Sequence, residues 1–274
     1  MVRRLALGRR TSPEATAVVP FSAEYAKGHR AFVAATLDSP EIVECFATSR
    51  TLPDNFGAAL DERVVEYPWL LSRRPTGRVL DAGSTLNHAH ILDRFLHLFT
   101  SLHIVTLAPE ESAFTDRGVS YVYADLRDLP LRTGYYDTVV SISTLEHVGM
   151  DTTRYGARVG AEADPRPSLR AAVRELKRVL ATGGRLLITV PYGVGEDHGW
   201  LHQFDREGLD DLLAEIDPRK HDIAVYAYTA DGWQSSSLPE AAGARYHDST
   251  LHLRAAEEDL APAARAVACI DAWV

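Results

Sequence analysis

The chain concentrates residues capable of chemistry at the points where apolar runs give way to loops. Asp81 closes the run Val79-Leu80 and is followed by a small-residue turn, Ala82-Gly83-Ser84-Thr85. A parallel strand that stops at a tight turn before a helix leaves backbone N–H groups facing outward at the carboxyl edge of a sheet, which makes a ligand crevice. Thr85 and His88 stand where the later glycines of G-x-G-x-x-G would be, so this turn is not cut to close on a pyrophosphate. One acid and one glycine suit a ligand with an amino-acid head and a nucleoside, with no phosphate between them. Asp125 follows a second apolar run and serves either as a ligand acceptor or as a turn cap. Glu146 and His147 end a third run, VVSISTLEH. A histidine there is a general base near neutral pH, or is hydrogen-bonded into its loop.

A fourth cluster, GEDHGWLHQF, follows the run that ends at Pro191 and so belongs to the same edge. His198 and His202 are four residues apart with Glu196 and Asp197 beside them, a metal-binding spacing on a helix. Gly199 counts against that helix, and no metal site is assigned; a polar, substrate-facing role is preferred. Trp200 is placed to stack on a ring and Tyr192 to point at a reacting group, although both residue types also pack plainly at a sheet rim.

These residues need a scaffold, and the patterning supplies one. Beyond Gly77 strand and helix patterns alternate, the mark of a doubly wound α/β sheet, mostly parallel. Strands are expected at 78–82, 102–107, 119–124, 137–143, 185–191 and 222–229, the last as an antiparallel edge. Helices are expected at 88–99, about 110–116, 168–181 and 205–216, with Asp205 or Gln203 near the start of the last and Gly183-Gly184 turning the chain after the third. Leu260, Ala264, Val267 and Ile270 are spaced as a closing helix over 255–274. Residues 1–74 read as a helical N-terminal extension, with Asp61 as an N-cap. The α/β domain then spans 75–274. The Gly- and Pro-bearing connection at 149–167 is long enough to be a lid-like insertion.

Bulk properties narrow the partners. The 274 residues are 46% hydrophobic and 24% charged, with a formal charge of −9. That balance argues against a nucleic-acid partner, which needs a basic face. Two cysteines, Cys45 and Cys269, fit a reducing, cytoplasmic setting. The opening MVRRLALGRR has too short an apolar run for a signal peptide or a membrane span.

Three further segments, YADLRDLPLRTGYYDTVVSISTLEHVGM, LKRVLATGGRLLITVPYG and QFDREGLDDLLAE, extend the first motif. From about Val79 to Glu215 their order and spacing resemble the class I S-adenosylmethionine-dependent methyltransferases, in particular the small-molecule group. The resemblance implies a seven-stranded Rossmann-like sheet with S-adenosylmethionine across the carboxyl ends of its first strands. It places Asp81, Ala82, Gly83 and Ser84 at the methionine and ribose portion. Asp125 falls at the adenine amino group with the Leu126 backbone beside it, and Ser143 under the sulfonium. Thr106 stands where the family usually has an acid for the ribose hydroxyls, with Glu110 or Glu111 in reach of that place.

The activity so implied is methyl transfer to a small polar acceptor, such as a hydroxyl of a sugar or specialised metabolite. His147 or His198 would be the base, with Glu146 beside His147 and Tyr192, Trp200 and His202 at the acceptor. Two alternatives differ in class: a non-catalytic or diverged cofactor-binding module of the same fold, which Thr106 keeps open, and a dinucleotide-dependent oxidoreductase, against which the missing glycines count.

Overall fold

The computed structural model describes residues 18–153, 160–248 and 261–274. Three helices come first: α1 (Ala23–Leu37), α2 (Pro40–Thr48) and α3 (Arg63–Ser72). The hydroxyls of Ser22 and Ser39 cap the first two by accepting from Tyr25 N and Ile42 N, satisfying first-turn donors that have no intrahelical partner. Asp61 accepts from Arg63 N at the head of α3.

The alternating part follows as β1 (Gly77–Ala82), α4 (Ala89–Phe95), β2 (Phe99–Thr106), β3 (Val119–Tyr123), β4 (Tyr136–Ile142), α5 (Arg166–Val179) and β5 (Leu180–Pro191). Next come a two-residue hairpin, β6 (Glu196–Asp197) and β7 (His202–Gln203), then α6 (Arg206–Ile216), β8 (Lys220–Thr229), β9 (Gly232–Ser236), α7 (Leu238–Ala241) and β10 (Ala266–Trp273). Asp205 caps α6 by accepting from Gly208 N at 2.9 Å.

The main sheet has eight strands in the order β3-β2-β1-β4-β5-β10-β8-β9. The five from β3 to β5 are parallel; β10 is antiparallel to both neighbours, and β9 is antiparallel to β8. Chain order reverses between β1 and β4, and the carboxyl ends there form the switch point where open α/β sheets bind ligands. Side chains of β1 alternate between two cores. Val79 joins α1–α4 residues such as Val33, Trp69, Ile91 and Phe95 on one face, while Leu80 joins Val173, Leu176, Leu209 and Leu212 of α5 and α6 on the other. The sheet is therefore covered on both faces, as parallel sheets require.

Several expectations are corrected. Residues 266–273 are not a closing helix but a strand inside the sheet, and 249–260 lie outside the described residues. Because β10 is buried on both faces, its side chains lack the polar alternation that marks a half-buried strand, and a short apolar run cannot be told from a helix by periodicity. The strand at 222–229 is antiparallel but not the edge, since β9 pairs outside it. The helix expected at 88–99 ends by Leu98 as a 3₁₀ turn, and β2 begins at Phe99. At 110–116 there is only a 3₁₀ turn, Thr115–Arg117. Among the described residues no helix is long and apolar enough to cross a membrane.

Candidate active site

A cavity of about 300 Å³ opens at the carboxyl ends of β3, β2, β1 and β4. Its wall includes Gly83, Ser84 and Thr85 after β1, Thr106 and Glu110 after β2, Asp125, Leu126 and Arg127 after β3, and Ser143, Thr144 and His147 after β4. Helix α3 adds Arg63 and Tyr67, and the flank of the long insertion adds Gly149, Met150 and Thr152.

The turn after β1 is shaped by its close approach to β4. Gly83 has φ +126°, and a Cβ built on it would lie 2.0 Å from Thr144 Oγ1; only glycine tolerates both constraints. Ser84 follows in the left-handed region at φ 66°, and its hydroxyl is buried without a hydrogen-bond partner among the described residues. Asp81 lies beneath this turn, fully buried and off the cavity wall, accepting from Thr85 N at 3.3 Å and Leu86 N at 2.7 Å. Burial raises its carboxyl to about 7 against the opposing pull of those two amides. Its contribution is the shape of the turn. Ala82 is likewise buried in the core beside Val105.

Past β2, Thr106 and Glu110 both reach the cavity, whereas Glu111 is not on its wall. Glu110 Oε2 accepts from Asn87 Nδ2 at 2.8 Å, and Asn87 Oδ1 accepts from the Tyr121 hydroxyl at 2.7 Å, so the carboxylate is held in place. After β3, Asp125 accepts from Arg127 N and Nε through one oxygen and from Arg127 Nη2 through the other. These charge-assisted bonds hold its carboxyl below the usual range. Arg127 Nη1 also donates to Glu162 and to Ser168 Oγ, tying the far flank of the insertion to the end of β3.

Beyond β4, Ser143 takes a positive φ of 41°. Its N–H donates to Thr189 O at 3.1 Å and Thr189 Oγ1 at 3.0 Å, and its hydroxyl donates to Glu66 Oε1 at 2.6 Å. Glu66, on α3, has no exposed surface and also accepts from Thr189 Oγ1 and from Arg63 Nη1. Three donors thus converge on this one carboxylate. It fastens α3 across the tips of β4 and β5.

Glu146 faces inward, 4% exposed, with Oε2 lacking a partner among the described residues. Burial raises its carboxyl to about 8, with the nearby Glu66 adding to the rise. His147 lies on the cavity wall, its Nδ1 2.8 Å from the Trp200 carbonyl oxygen and its ring stacked on the Trp200 indole at 5.2 Å.

The hairpin residues lie further out. His198 stands against Tyr246 at 5.3 Å, and Trp200 supports His147 from behind while donating from Nε1 to Asp248 at 2.7 Å; neither is on the cavity wall. His202 borders a separate groove between α5 and α6 instead. Because His198 follows β6 and His202 begins β7, the helical spacing that would bring them together does not occur. Tyr192 is 1% exposed and donates to Leu238 O at 3.2 Å, which makes it a packing residue of the rim.

The structure thus brings together Gly83, Ser84, Thr106, Asp125, Leu126, Ser143 and His147, and leaves Asp81, Ala82, Glu146, Tyr192, His198, Trp200 and His202 off the wall. Sequence reasoning missed Arg63, Glu66 and Tyr67. A charged pair one turn apart inside the apolar stretch DERVVEYPWLL was the available signal, since charges on a stripe bound for the interior need a partner there.

Known proteins add the following. Residues 80–188 match the family model of a methyltransferase domain. No curated protein matches the chain at a significant level. Solved structures include a possible histamine N-methyltransferase of Thermotoga maritima, at 12% identity over 88% of this chain and 98% of that one, with a TM-score of 0.47. A 1,6-didemethyltoxoflavin N1-methyltransferase of Burkholderia thailandensis, with S-adenosylhomocysteine bound, gives 15% identity over 96% and 98%, with a TM-score of 0.45. The N-methyltransferase NodS of Bradyrhizobium japonicum gives 13% over 72% and 77%, with a TM-score of 0.43. At such scores these likenesses add nothing to the family match. Residues 80–188, less than half of the chain, thus match a methyltransferase domain.

Proposed function

We propose that the enzyme methylates a hydroxyl of a small polar acceptor, a sugar or a specialised metabolite, with His147 taking the proton. The tautomer of His147 carries this reading. A carbonyl oxygen can only accept, so Nδ1, 2.8 Å from Trp200 O, is the donor, and in the neutral ring Nε2 keeps its lone pair. Glu146 Oε1 lies 3.9 Å from Nε2, but burial keeps that carboxyl protonated near neutral pH, so it supplies no counter-charge to the ring.

The wall fits the cofactor. The Gly83 approach and the buried Ser84 hydroxyl offer a cradle without a phosphate site. In this reading Asp125 and the Leu126 backbone hold the adenine, Thr106 and Glu110 the ribose, and the Gly83–Thr85 turn the amino-acid portion, with Asp81 positioning that turn and Ser143 beneath the sulfur. When bound, the cofactor supplies a methyl group on a sulfonium whose thioether leaves without protonation. The chain's own work is then alignment, which can be worth about 7–11 kcal/mol. Proton removal adds about 10²–10⁴-fold. Helices α1–α3 act as a cap and the 149–167 insertion as a lid-like wall that excludes water; its residues 154–159 lie outside the described ones. The charge of −9 and the cysteine usage support a cytoplasmic enzyme of small molecules rather than nucleic acid.

The test is methyl transfer from labelled cofactor to a panel of sugar and phenolic hydroxyls, with His147→Ala beside the wild type. The variant is expected to lose at least about 10²-fold in kcat while keeping its affinity for S-adenosylhomocysteine. Unchanged turnover, or an equal loss of cofactor affinity, refutes the base assignment.

A further inference from the structure

Among the described residues two arginines reach the cavity wall, and they are committed very differently. All three guanidinium nitrogens of Arg127 are engaged, by Asp125, Glu162 and Ser168. Arg63 makes a single side-chain contact among the described residues, from Nη1 to Glu66. Its Nε and Nη2 have no such partner, and 27% of its side chain remains exposed. The guanidinium is nonetheless fixed, because Glu66 is itself pinned by the hydroxyls of Ser143 and Thr189. Burial opposes its charge, but Glu66, Tyr67, Glu62 and Asp61 outweigh that and keep it protonated. His88, also on the wall, has its pKa lowered by burial and then by Arg63, so it offers no competing cation near neutral pH.

A planar guanidinium edge with two donors to spare matches one ligand group above others, an oxyanion of fork geometry. Glu110 and Asp125 on the same wall disfavour a dianion such as a phosphate monoester. A monocarboxylate remains. Along the sheet, β3 and β4 are three inter-strand spacings apart, about 14 Å, with Asp125 at one end and Arg63, held beside Ser143, at the other.

We propose that Arg63 is a carboxylate-binding residue, receiving either the α-carboxylate of the cofactor's amino-acid portion or the carboxylate of an acid acceptor. This rests on the cavity being the cofactor and acceptor site. Glu66 is its positioning partner, and α3 thereby contributes a ligand contact from outside the matched domain.

Calorimetry distinguishes the two sources. Wild type, Arg63→Gln and Arg63→Lys are titrated with S-adenosylhomocysteine and with methylthioadenosine, which lacks the amino-acid portion. A third titration uses benzoate in the presence of saturating methylthioadenosine, or of no nucleoside if the wild type does not bind it. For a cofactor carboxylate, Arg63→Gln weakens S-adenosylhomocysteine by roughly 10–100-fold and leaves methylthioadenosine within about twofold. For an acceptor carboxylate, both nucleosides keep their affinity and benzoate binding is lost. Equal weakening of both nucleosides, or no change in any titration, overturns the proposal. A wild type that binds neither nucleoside refutes the cofactor reading of the cavity, and the benzoate titration then decides Arg63 alone. If Arg63→Gln does not fold, Arg63→Lys decides. It keeps a cation for Glu66 but loses the fork, and the carboxylate-bearing ligand alone is expected to weaken, by several-fold.

Discussion

Replacing Gly83 by alanine tests the cradle at its tightest point. The added Cβ would lie 2.0 Å from Thr144 Oγ1, 2.5 Å from Cγ2 and 2.7 Å from Cβ, against about 3.5–4.0 Å for relaxed contact. Thr144 cannot swing away freely, because its hydroxyl donates to Ile142 O at 3.0 Å; losing that bond costs about 1 kcal/mol. The backbone at φ +126° costs any side-chain-bearing residue about 1–3 kcal/mol more. Gly83→Ala should therefore lose about 2–4 kcal/mol of stability, read as a lower urea midpoint. It should also weaken S-adenosylhomocysteine by about tenfold or more, read by calorimetry. Adding Thr144→Ala removes the two shortest contacts but leaves both the Cβ contact and the backbone term, so recovery should be partial. A single variant indistinguishable from wild type refutes the steric argument, and complete recovery in the double variant refutes the backbone one.

Three other outcomes are expected. Glu146 keeps its proton to about pH 8 in the folded protein, against 4.5 unfolded, so it costs stability as pH rises between those values. The span is of order 5 kcal/mol, and Glu146→Gln should flatten the fall of the urea midpoint with pH, leaving the comparable contribution of Asp81, which ends near pH 7; an unchanged slope would count against burial as the cause. Glu110→Ala should weaken S-adenosylhomocysteine by roughly 10–100-fold while Glu111→Ala does nothing, and calorimetry showing equal effects would remove Glu110 from the ribose. Asp137, whose carboxyl is lowered to about 2 by the Arg78 side chain and backbone, contributes stability present above pH 3.8 and lost as pH falls towards 2. Because its side chain is 43% exposed, Asp137→Ala should cost only about 1 kcal/mol at neutral pH, narrowing in acid, as urea midpoints at pH 7 and 3 would show.

The sequence was most legible where local chemistry and chain order agree. Asp81 and Gly83 marked the switch-point turn because a strand, an acid and a glycine in that order have few other uses, and Asp125 was found by its place after the third strand. Asp137 accepts from the N–H, Nε and Nη2 of Arg78 across to β1, a long-range partner that no local pattern announces. The insertion of β10 between β5 and β8 was illegible for a similar reason, since pairing partners about forty to ninety residues apart leave no periodic trace. Arg63 and Glu66 lie in an apolar stretch whose sequence names no partner for them outside the helix. Their burial follows only once Ser143 and Thr189, from two other elements, meet the carboxylate. Their position after Pro191 puts His198 and His202 at the sheet edge, but a hairpin turned at Gly199, with φ +80°, holds both off the cavity wall.

The position of β10 makes assembly of the sheet depend on its latest strand. Until residues 266–273 slot into place, β5 and β8 present two rows of unpaired backbone N–H and C=O groups to each other and to neighbouring molecules. A nonsense change upstream of Ala266 would not shorten the protein so much as split it, leaving sticky half-sheets prone to self-association rather than a smaller working enzyme.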